Sequence, residues 1–176
     1  IKPDFGQVEA DPAVLNLTAF NTLYPEKRPF FLEGADIYKF GIGRSRLYYS
    51  RRFGAGDPII AAVKLSGRGE KGLSFGLLGT TEGKNFDPSN SYAVFRASQR
   101  IKEHSSAGGI LTYYYSPAGK GTGWQSMIGG IDWDLRFNDN KYGFEGIVAF
   151  SDRNSLVDGT RDQTGLMNSL AIRKRQ

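Results

Sequence analysis

Asp132 and Asp134 are the two carboxylates whose spacing best suits acid–base chemistry in this chain. Successive side chains of a β-strand point to opposite sides, so residues two apart share a face. A glycosidase needs its two carboxyl groups about 5 to 9.5 Å apart, a separation that this pair could approach. Arg136 falls on the same face, and no further catalytic group accompanies the pair. The spacing therefore favours a hydrated, charged wall, with glycan hydrolysis as the alternative.

The chain has no cysteine and a single histidine, His104. Without cysteine there is no disulfide, thiolate metal site, iron–sulfur cluster or cysteine nucleophile. One histidine leaves no paired-histidine metal motif, and a Ser-His-Asp triad would depend on His104 alone. Because His104 follows Lys102 and Glu103 in a short polar stretch, a solvated turn residue is the simpler interpretation. Most familiar hydrolase chemistry is thereby excluded.

Other ligand-binding patterns are weak. Asp4, Glu9 and Asp11 could offer oxygen atoms to calcium, but Asp11 is better explained as a helix cap and no Asp-x-Asp-x-Asp-Gly loop follows. The glycine-rich stretch 119–123 lacks the residue order and the strand-to-helix context of a phosphate-binding loop. The net charge of +5 is spread along the chain, which gives no support to a nucleic-acid partner. We expect no cofactor and no bound metal.

The elements that must position these residues differ between two parts of the chain. Its 176 residues correspond to one domain or part of a larger one. Residues 1–46 hold four of the seven prolines, and proline cannot donate to a sheet ladder. This part is predicted to be irregular, with one short helix from Pro12 to Leu23 capped by Asp11. Residues 47–176 follow a period of two and are predicted to be strands.

Eight segments carry this period and are separated by Gly, Asn, Asp and Ser clusters, which predicts an all-β, antiparallel up-and-down meander. They are Leu47 to Phe53, Ile59 to Gly67, Gly72 to Thr81, Ser91 to Ile101, Ser105 to Tyr115, Trp124 to Phe137, Tyr142 to Ser151 and Leu166 to Arg175.

The alternation gives each strand one apolar and one polar face. Between Trp124 and Phe137, the apolar face includes Ile131 and Trp133, and the opposite face includes Asp132 and Asp134. The residues predicted to face a lumen or a ligand are Lys64, Asp132, Asp134, Arg136 and Glu145. Aromatic residues near the strand ends suit the girdles of a membrane barrel, and sugar stacking is their alternative role; they are Tyr48, Tyr49, Tyr113, Tyr114, Tyr115, Trp124 and Tyr142.

Connection lengths point to a membrane barrel. From the second predicted strand onward, short connections alternate with the longer ones Glu82 to Asn90, Ser116 to Gly123 and Asp152 to Gly165. Short periplasmic turns and longer outside loops are typical of bacterial outer-membrane barrels. Strands of about ten residues, tilted by about 40°, also match the height of about 25 Å of the apolar band. The strands are therefore predicted to form part of a transmembrane β-barrel.

A charged and aromatic motif lies ahead of the strands, at Glu26, Lys27, Arg28, Phe30 and Phe31. One interpretation is a plug whose cations meet luminal acids such as Asp132 and Asp134 while its rings pack beneath the barrel wall. The alternative is an ordinary periplasmic loop with a hydrophobic anchor. Both interpretations place residues 1–46 on the periplasmic side.

Long stretches of the chain resemble an uncharacterised family of bacterial outer-membrane β-barrels. The stretches are Asp4 to Ala13, Asn16-Leu17, Phe20, Tyr24 to Gly34, Tyr48 to Arg52, Ala62 to Arg68 and Asp132 to Phe137. In that family a domain of unknown function follows a periplasmic module similar to a family-9 carbohydrate-binding domain. The resemblance implies an outer-membrane location and a larger parent protein whose barrel contains further strands. It assigns no reaction.

These observations predict a non-enzymatic outer-membrane barrel segment that binds, passes or displays a ligand, with a glycan as the candidate. The expected partners are outer-membrane lipid, the glycan, and further strands of the parent chain or of another chain that complete the barrel. Two alternatives belong to other classes. One is a surface enzyme that acts on glycans through Asp132 and Asp134, and the other is a soluble β-sheet carbohydrate-binding module.

Overall fold

A computed structural model describes residues 23–41, 47–85, 87–102, 104–117, 123–157 and 162–174. Three short helical pieces precede seven strands: the α-helix α1 (Pro29–Leu32), the 3₁₀ helices Ala35–Tyr38 and Ser50–Arg52, and the strands β1 (Ile59–Arg68), β2 (Leu73–Lys84), β3 (Asp87–Lys102), β4 (Ser105–Ser116), β5 (Trp124–Phe137), β6 (Tyr142–Ser155) and β7 (Gln163–Lys174). The strands form one antiparallel sheet in the order β1 to β7. The predicted all-β meander and the irregular, short-helical N-terminal part are confirmed. The predicted helix from Pro12 to Leu23 lies outside the described residues except for Leu23.

The first of the eight predicted strands, Leu47 to Phe53, is wrong. These residues contain the 3₁₀ helix Ser50–Arg52 and do not join the sheet. The Ser50 hydroxyl donates to Glu26 Oε2 over 2.6 Å, and the Ser50 carbonyl accepts from Arg28 Nη2 over 2.7 Å. Side-chain hydrogen bonds thus satisfy polar groups that a sheet ladder would otherwise pair.

The sheet has two rims with different connections. The short-turn rim carries residues 69–72, 103–104 and 138–141, as predicted. The long-loop rim carries residues 85–86, 117–123 and 156–162. The first of these is short because β2 extends to Lys84 and β3 begins at Asp87, so the predicted long loop from Glu82 to Asn90 is wrong. The regular pairing of β2 with β3 ends at the register shift after Glu82, and both strands continue beyond it with polar residues.

Burial alternates along the strands and divides the sheet into two faces. In β2 the side chains of Leu78, Thr80 and Glu82 are buried, whereas those of Phe75 and Leu77 are exposed. The register carries this division across all seven strands. We call the face that contains Leu78, Val94, Ile110 and Ile147 the covered face, and the opposite one the open face.

The N-terminal segment, residues 23–41 and 47–57, packs on the covered face. Five of its side chains join four residues of the sheet in one core: Phe31, Ile37, Tyr38, Phe40 and Phe53 with Leu78, Val94, Ile110 and Ile147. Its rings form a connected series, because Phe53 contacts Phe31, Tyr48 and Tyr92 with centroids 4.8 to 5.8 Å apart. The segment therefore supplies five apolar side chains to the core, and the sheet supplies four from a face that is otherwise largely polar.

Candidate functional site

Asp132 is held by an arginine from two strands away. Arg96 in β3 donates to both carboxylate oxygens of Asp132 in β5, over 2.7 and 2.9 Å. The guanidinium has to cross β4, where Gly108 leaves the space: a Cβ at Gly108 would lie 2.7 Å from Arg96 Nη1. The backbone N–H of Gly41 donates to Asp132 Oδ2 over 3.1 Å. Asp132 thus connects the sheet to the N-terminal segment.

Asp134 belongs to a second charged group near the short-turn rim. Arg136 Nη2 lies 2.8 Å from Asp134 Oδ2 and 2.6 Å from Glu145 Oε1. Glu145 also contacts Arg173 of β7 at 3.3 Å. Gly143 stands opposite Arg136 in the register, and a Cβ there would collide with the guanidinium. Two acids and two arginines therefore form one network across three strands.

Asp132 and Asp134 do lie on one face, but each has its own guanidinium. Arg96 pairs with Asp132 and Arg136 pairs with Asp134, and such charged pairs are geometrically specific. The geometry of the described residues is that of a charge-compensated wall. This arrangement gives the enzymatic alternative no structural support.

The plug motif is anchored differently from the prediction. Arg28 does not meet Asp132, which Arg96 holds. Instead, its guanidinium donates to Glu26 and to the backbone carbonyls of Ser50 and Phe53. Burial by itself would raise the pKa of Glu26, but hydrogen bonds from Arg28 and Ser50 outweigh it and lower that pKa to about 2. Arg28 and Glu26 thus hold the two halves of the N-terminal segment together.

Lys64 and the rings of the motif connect the segment to β1. Lys64 Nζ donates to the carbonyl oxygens of Phe30 and Glu33, over 2.6 and 2.9 Å. It lies 4.9 Å from the centroid of the Phe30 ring, which is a favourable cation–π distance. Phe31 is buried in the core. Lys64, predicted to face a lumen or a ligand, therefore supports the end of α1.

Two glycines of the covered face accept aromatic rings of the N-terminal segment, a feature that the sequence interpretation missed. A Cβ at Gly76 would lie 2.7 Å from Tyr38 Cζ, and one at Gly130 would lie 2.7 Å from Phe40 Cζ. Isolated glycines within strands are a known sign of close approach by another group. That sign could have located the contacts, although it could not have named the partner rings.

The remaining candidates are His104 and three acidic residues near the start of the sequence. His104 is exposed in the turn between β3 and β4. Asp4, Glu9 and Asp11 lie outside the described residues. Within the described ranges, no three His, Asp or Glu side chains are grouped so as to hold a metal ion.

None of the helices in the described residues has the length and apolar character to span a membrane.

A family model described as "Domain of unknown function (DUF5916)" matches residues 1–59. The chain has 176 residues, so the match covers about a third of it. No curated protein and no solved structure matches the chain. The match confirms the resemblance of the N-terminal part to a domain of unknown function. Its description names no membrane and no carbohydrate-binding module, so both stay predictions.

Proposed function

We propose that this chain is a segment of a bacterial outer-membrane β-barrel whose open face meets lipid and whose covered face lines the lumen. In this proposal the N-terminal segment is a plug that enters from the periplasmic side, and the short-turn rim is periplasmic. The segment has no enzymatic role and serves the binding, passage or display of a ligand, for which a glycan is the candidate.

The apolar open face carries the proposal. It contains large exposed side chains on every strand, including Leu65, Phe95, Leu111, Ile131, Phe150 and Leu170. In the central part of the described strands, the register places no Asp, Glu, Lys or Arg on this face, and Asp152 and Lys174 fall on it near strand ends. So wide an apolar surface is unusual for a monomeric soluble protein. It is expected of a barrel wall in contact with hydrocarbon.

Aromatic residues lie toward both ends of the open face. Tyr113 and Tyr115 are exposed near the long-loop rim, and Phe137 and Tyr142 are exposed at the short-turn rim. Amphipathic rings favour the headgroup region of a bilayer. Tyr114 and Trp124 fall on the covered face instead, so they are not part of these two proposed girdles.

The covered face supports the plug. Several of its charges are paired within the sheet or with the N-terminal segment, as for Arg96 with Asp132 and Lys64 with Glu33. The segment also extends across the face from rim to rim. Asp36 forms an ion pair with Arg68 near the short-turn rim, and the Gly54 backbone N–H donates to the Glu82 carboxylate near the long-loop rim. A polar face filled by an inserted segment is one of the arrangements found inside barrels.

Lipid contact can be tested with two neighbouring residues. The chain has no cysteine, so a single cysteine at Leu111 or Thr112 can carry a fluorescent probe. Leu111 lies on the open face and Thr112 on the covered face. In vesicles that contain brominated lipid, the probe at 111 should be quenched and the probe at 112 should not. Absence of quenching at both positions would reject the membrane location, and quenching at 112 alone would reverse the faces.

A further inference from the structure

A cleft of about 300 Å³ lies between the N-terminal segment and the covered face, near the long-loop rim. Its floor is one lateral row of the sheet, because the register pairs Tyr92 with Tyr114, Tyr114 with Ser126, and Ser126 with Arg153. Its opposite wall includes Tyr48 and Arg52 of the N-terminal segment. The cleft is in the size range of sites for small ligands.

The rings of the cleft are already fixed in place. Tyr92 stands between Phe53 and Tyr114, with ring centroids 4.8 Å away on each side. The Tyr114 hydroxyl donates to Asn90 Oδ1 over 3.3 Å. Because these contacts exist before any ligand arrives, a ring that packs on this wall would order few side chains, which favours affinity.

Two guanidinium groups of the cleft, those of Arg52 and Arg153, differ from the arginines that link parts of the N-terminal segment or join strands. Arg28, Arg96 and Arg136 are paired with carboxylates. Arg52 and Arg153 are exposed, and neither pairs with a carboxylate in the described part of the chain. The guanidinium of Arg153 lies 4.0 Å from the centroid of the Trp124 ring, which orients it without neutralising it. Cations in a partly enclosed cleft attract anions.

The carboxylate of Glu82 is hydrogen-bonded to groups that do not line the cleft. Its side chain is 1% exposed, does not line the cleft, and accepts hydrogen bonds from the Gly54 backbone and from Asn90. The cleft thus combines a wall of tyrosine rings with two guanidiniums that lack a carboxylate partner.

We propose that this cleft binds a small carboxylate that carries a six-membered ring. The ring would pack on the tyrosines, and the carboxylate would accept hydrogen bonds from Arg52 and Arg153, since guanidinium and carboxylate match in a two-bond geometry. A sugar acid and an aromatic acid share this chemistry. The proposal rests on the proposed function in that it names the class of the ligand, but the binding itself does not require a membrane.

The binding test uses the full chain with Trp133→Phe, so that Trp124, the other of the two tryptophans, reports on the cleft. Glucuronate and benzoate are titrated against the neutral methyl glucoside and benzyl alcohol. At least one acid should change the Trp124 emission in a saturable way, and its neutral counterpart should bind at least about tenfold more weakly. The acid that binds identifies the source. Binding of neither acid, or equal binding of an acid and its counterpart, overturns the proposal.

Variants locate the binding. Arg52→Gln and Arg153→Gln should each weaken acid binding at least about fivefold. Arg100→Gln, which removes the same charge at the other end of β3, is the control and should leave affinity unchanged. Equal losses of acid affinity in all three variants would indicate general charge attraction and would overturn the assignment of binding to the cleft. Acid binding without quenching in the lipid experiment would support the cleft and reject the membrane location. Quenching at position 111 without acid binding would support the membrane location and reject the cleft.

Discussion

The two faces of the sheet use the same residue type, glycine, in different ways. On the covered face, Gly76 and Gly130 leave room for rings that arrive from the N-terminal segment. On the open face, the space above Gly67 and Gly146 is taken by rings of the sheet itself, Phe75 and Trp133. The covered face thus fits rings of the N-terminal segment. The open face fills the space over its glycines with its own side chains and presents a continuous apolar surface.

This difference indicates what kind of partner each face has. The covered face pairs its charges with specific groups and fits individual rings, so its partner must be folded protein of defined shape. The open face offers large apolar side chains and, in the central part of the described strands, no charged side chain, which suits a partner without fixed structure. Substitutions on the two faces should therefore destabilise the protein for different physical reasons.

The largest effect is expected from breaking a charged pair of the covered face. Arg96→Leu leaves Asp132, whose side chain is 17% exposed, without its counter-charge and should lower the free energy of unfolding by about 3–5 kcal/mol. The measurement is urea unfolding, and the double variant Arg96→Leu with Asp132→Leu should recover most of the loss. Arg100→Leu, at the exposed end of the same strand, should cost little. Equal costs for Arg96→Leu and Arg100→Leu would remove the special role of the pair.

The next effect tests the open face in lipid. Ile131 is 57% exposed. If the face meets water, a charge there should change the free energy of unfolding by no more than about 0.5 kcal/mol. In vesicles, Ile131→Arg should instead cost about 2–4 kcal/mol, because the guanidinium would enter the hydrocarbon. Leu156→Arg, beyond the end of β6 on the long-loop rim, is the matched control. If both variants fold equally well in vesicles, the open face is not a lipid face.

Two adjacent glycines of β5 compare the faces directly. Gly130→Ala would place a Cβ 2.7 Å from Phe40 Cζ and 3.1 Å from Leu47 Cδ1, and should cost about 1–3 kcal/mol through overpacking. At Gly129, on the open face, a Cβ would meet only Leu111 Cδ1 at 3.8 Å, so Gly129→Ala should be neutral or slightly stabilising. Urea unfolding of both variants is the measurement. A larger loss at Gly129 would mean that the faces are reversed.

The smallest effect concerns the anchor within the N-terminal segment. Glu26→Gln removes a buried charge that accepts from Arg28 and Ser50 and should cost about 1–2 kcal/mol at neutral pH. The pKa of Glu26 falls from 4.5 to about 2 on folding. A lowered folded-state pKa gives stability that is complete above the unfolded value and is lost as the pH falls toward the folded value.

The free-energy difference between wild type and Glu26→Gln should therefore be constant above pH 4.5 and should shrink as the pH is lowered toward about 2. Urea unfolding of both proteins across this range is the measurement. Lys27→Gln, the adjacent charge removal, should not reproduce this pH dependence. A difference that is independent of pH would show that the carboxylate is not the source of the stability.

The period of two was enough to predict most of the fold. It located the seven strands, their antiparallel order and the opposite faces of Ile131 and Asp132, because side-chain direction in a strand depends only on position. The segment Leu47 to Phe53 was predicted as a strand from its local residue pattern, and this prediction is wrong. The hydrogen bonds from Ser50 and Arg28 that oppose this conformation join residues more than twenty positions apart. A local pattern cannot report such bonds.

Lys64, Asp132, Asp134, Arg136 and Glu145 share the covered face, but the sequence did not predict their partners. Sequence alone determined that the chain forms a β-meander with one apolar and one charged face, since both follow from alternation within each strand. Only the tertiary structure decided that Arg96 reaches over Gly108 to Asp132, that Arg28 holds Glu26, and that Tyr38 and Phe40 lie on glycines. The physical reason is that strand register and the path of the N-terminal segment bring together residues far apart in the chain, and these distances set each contact.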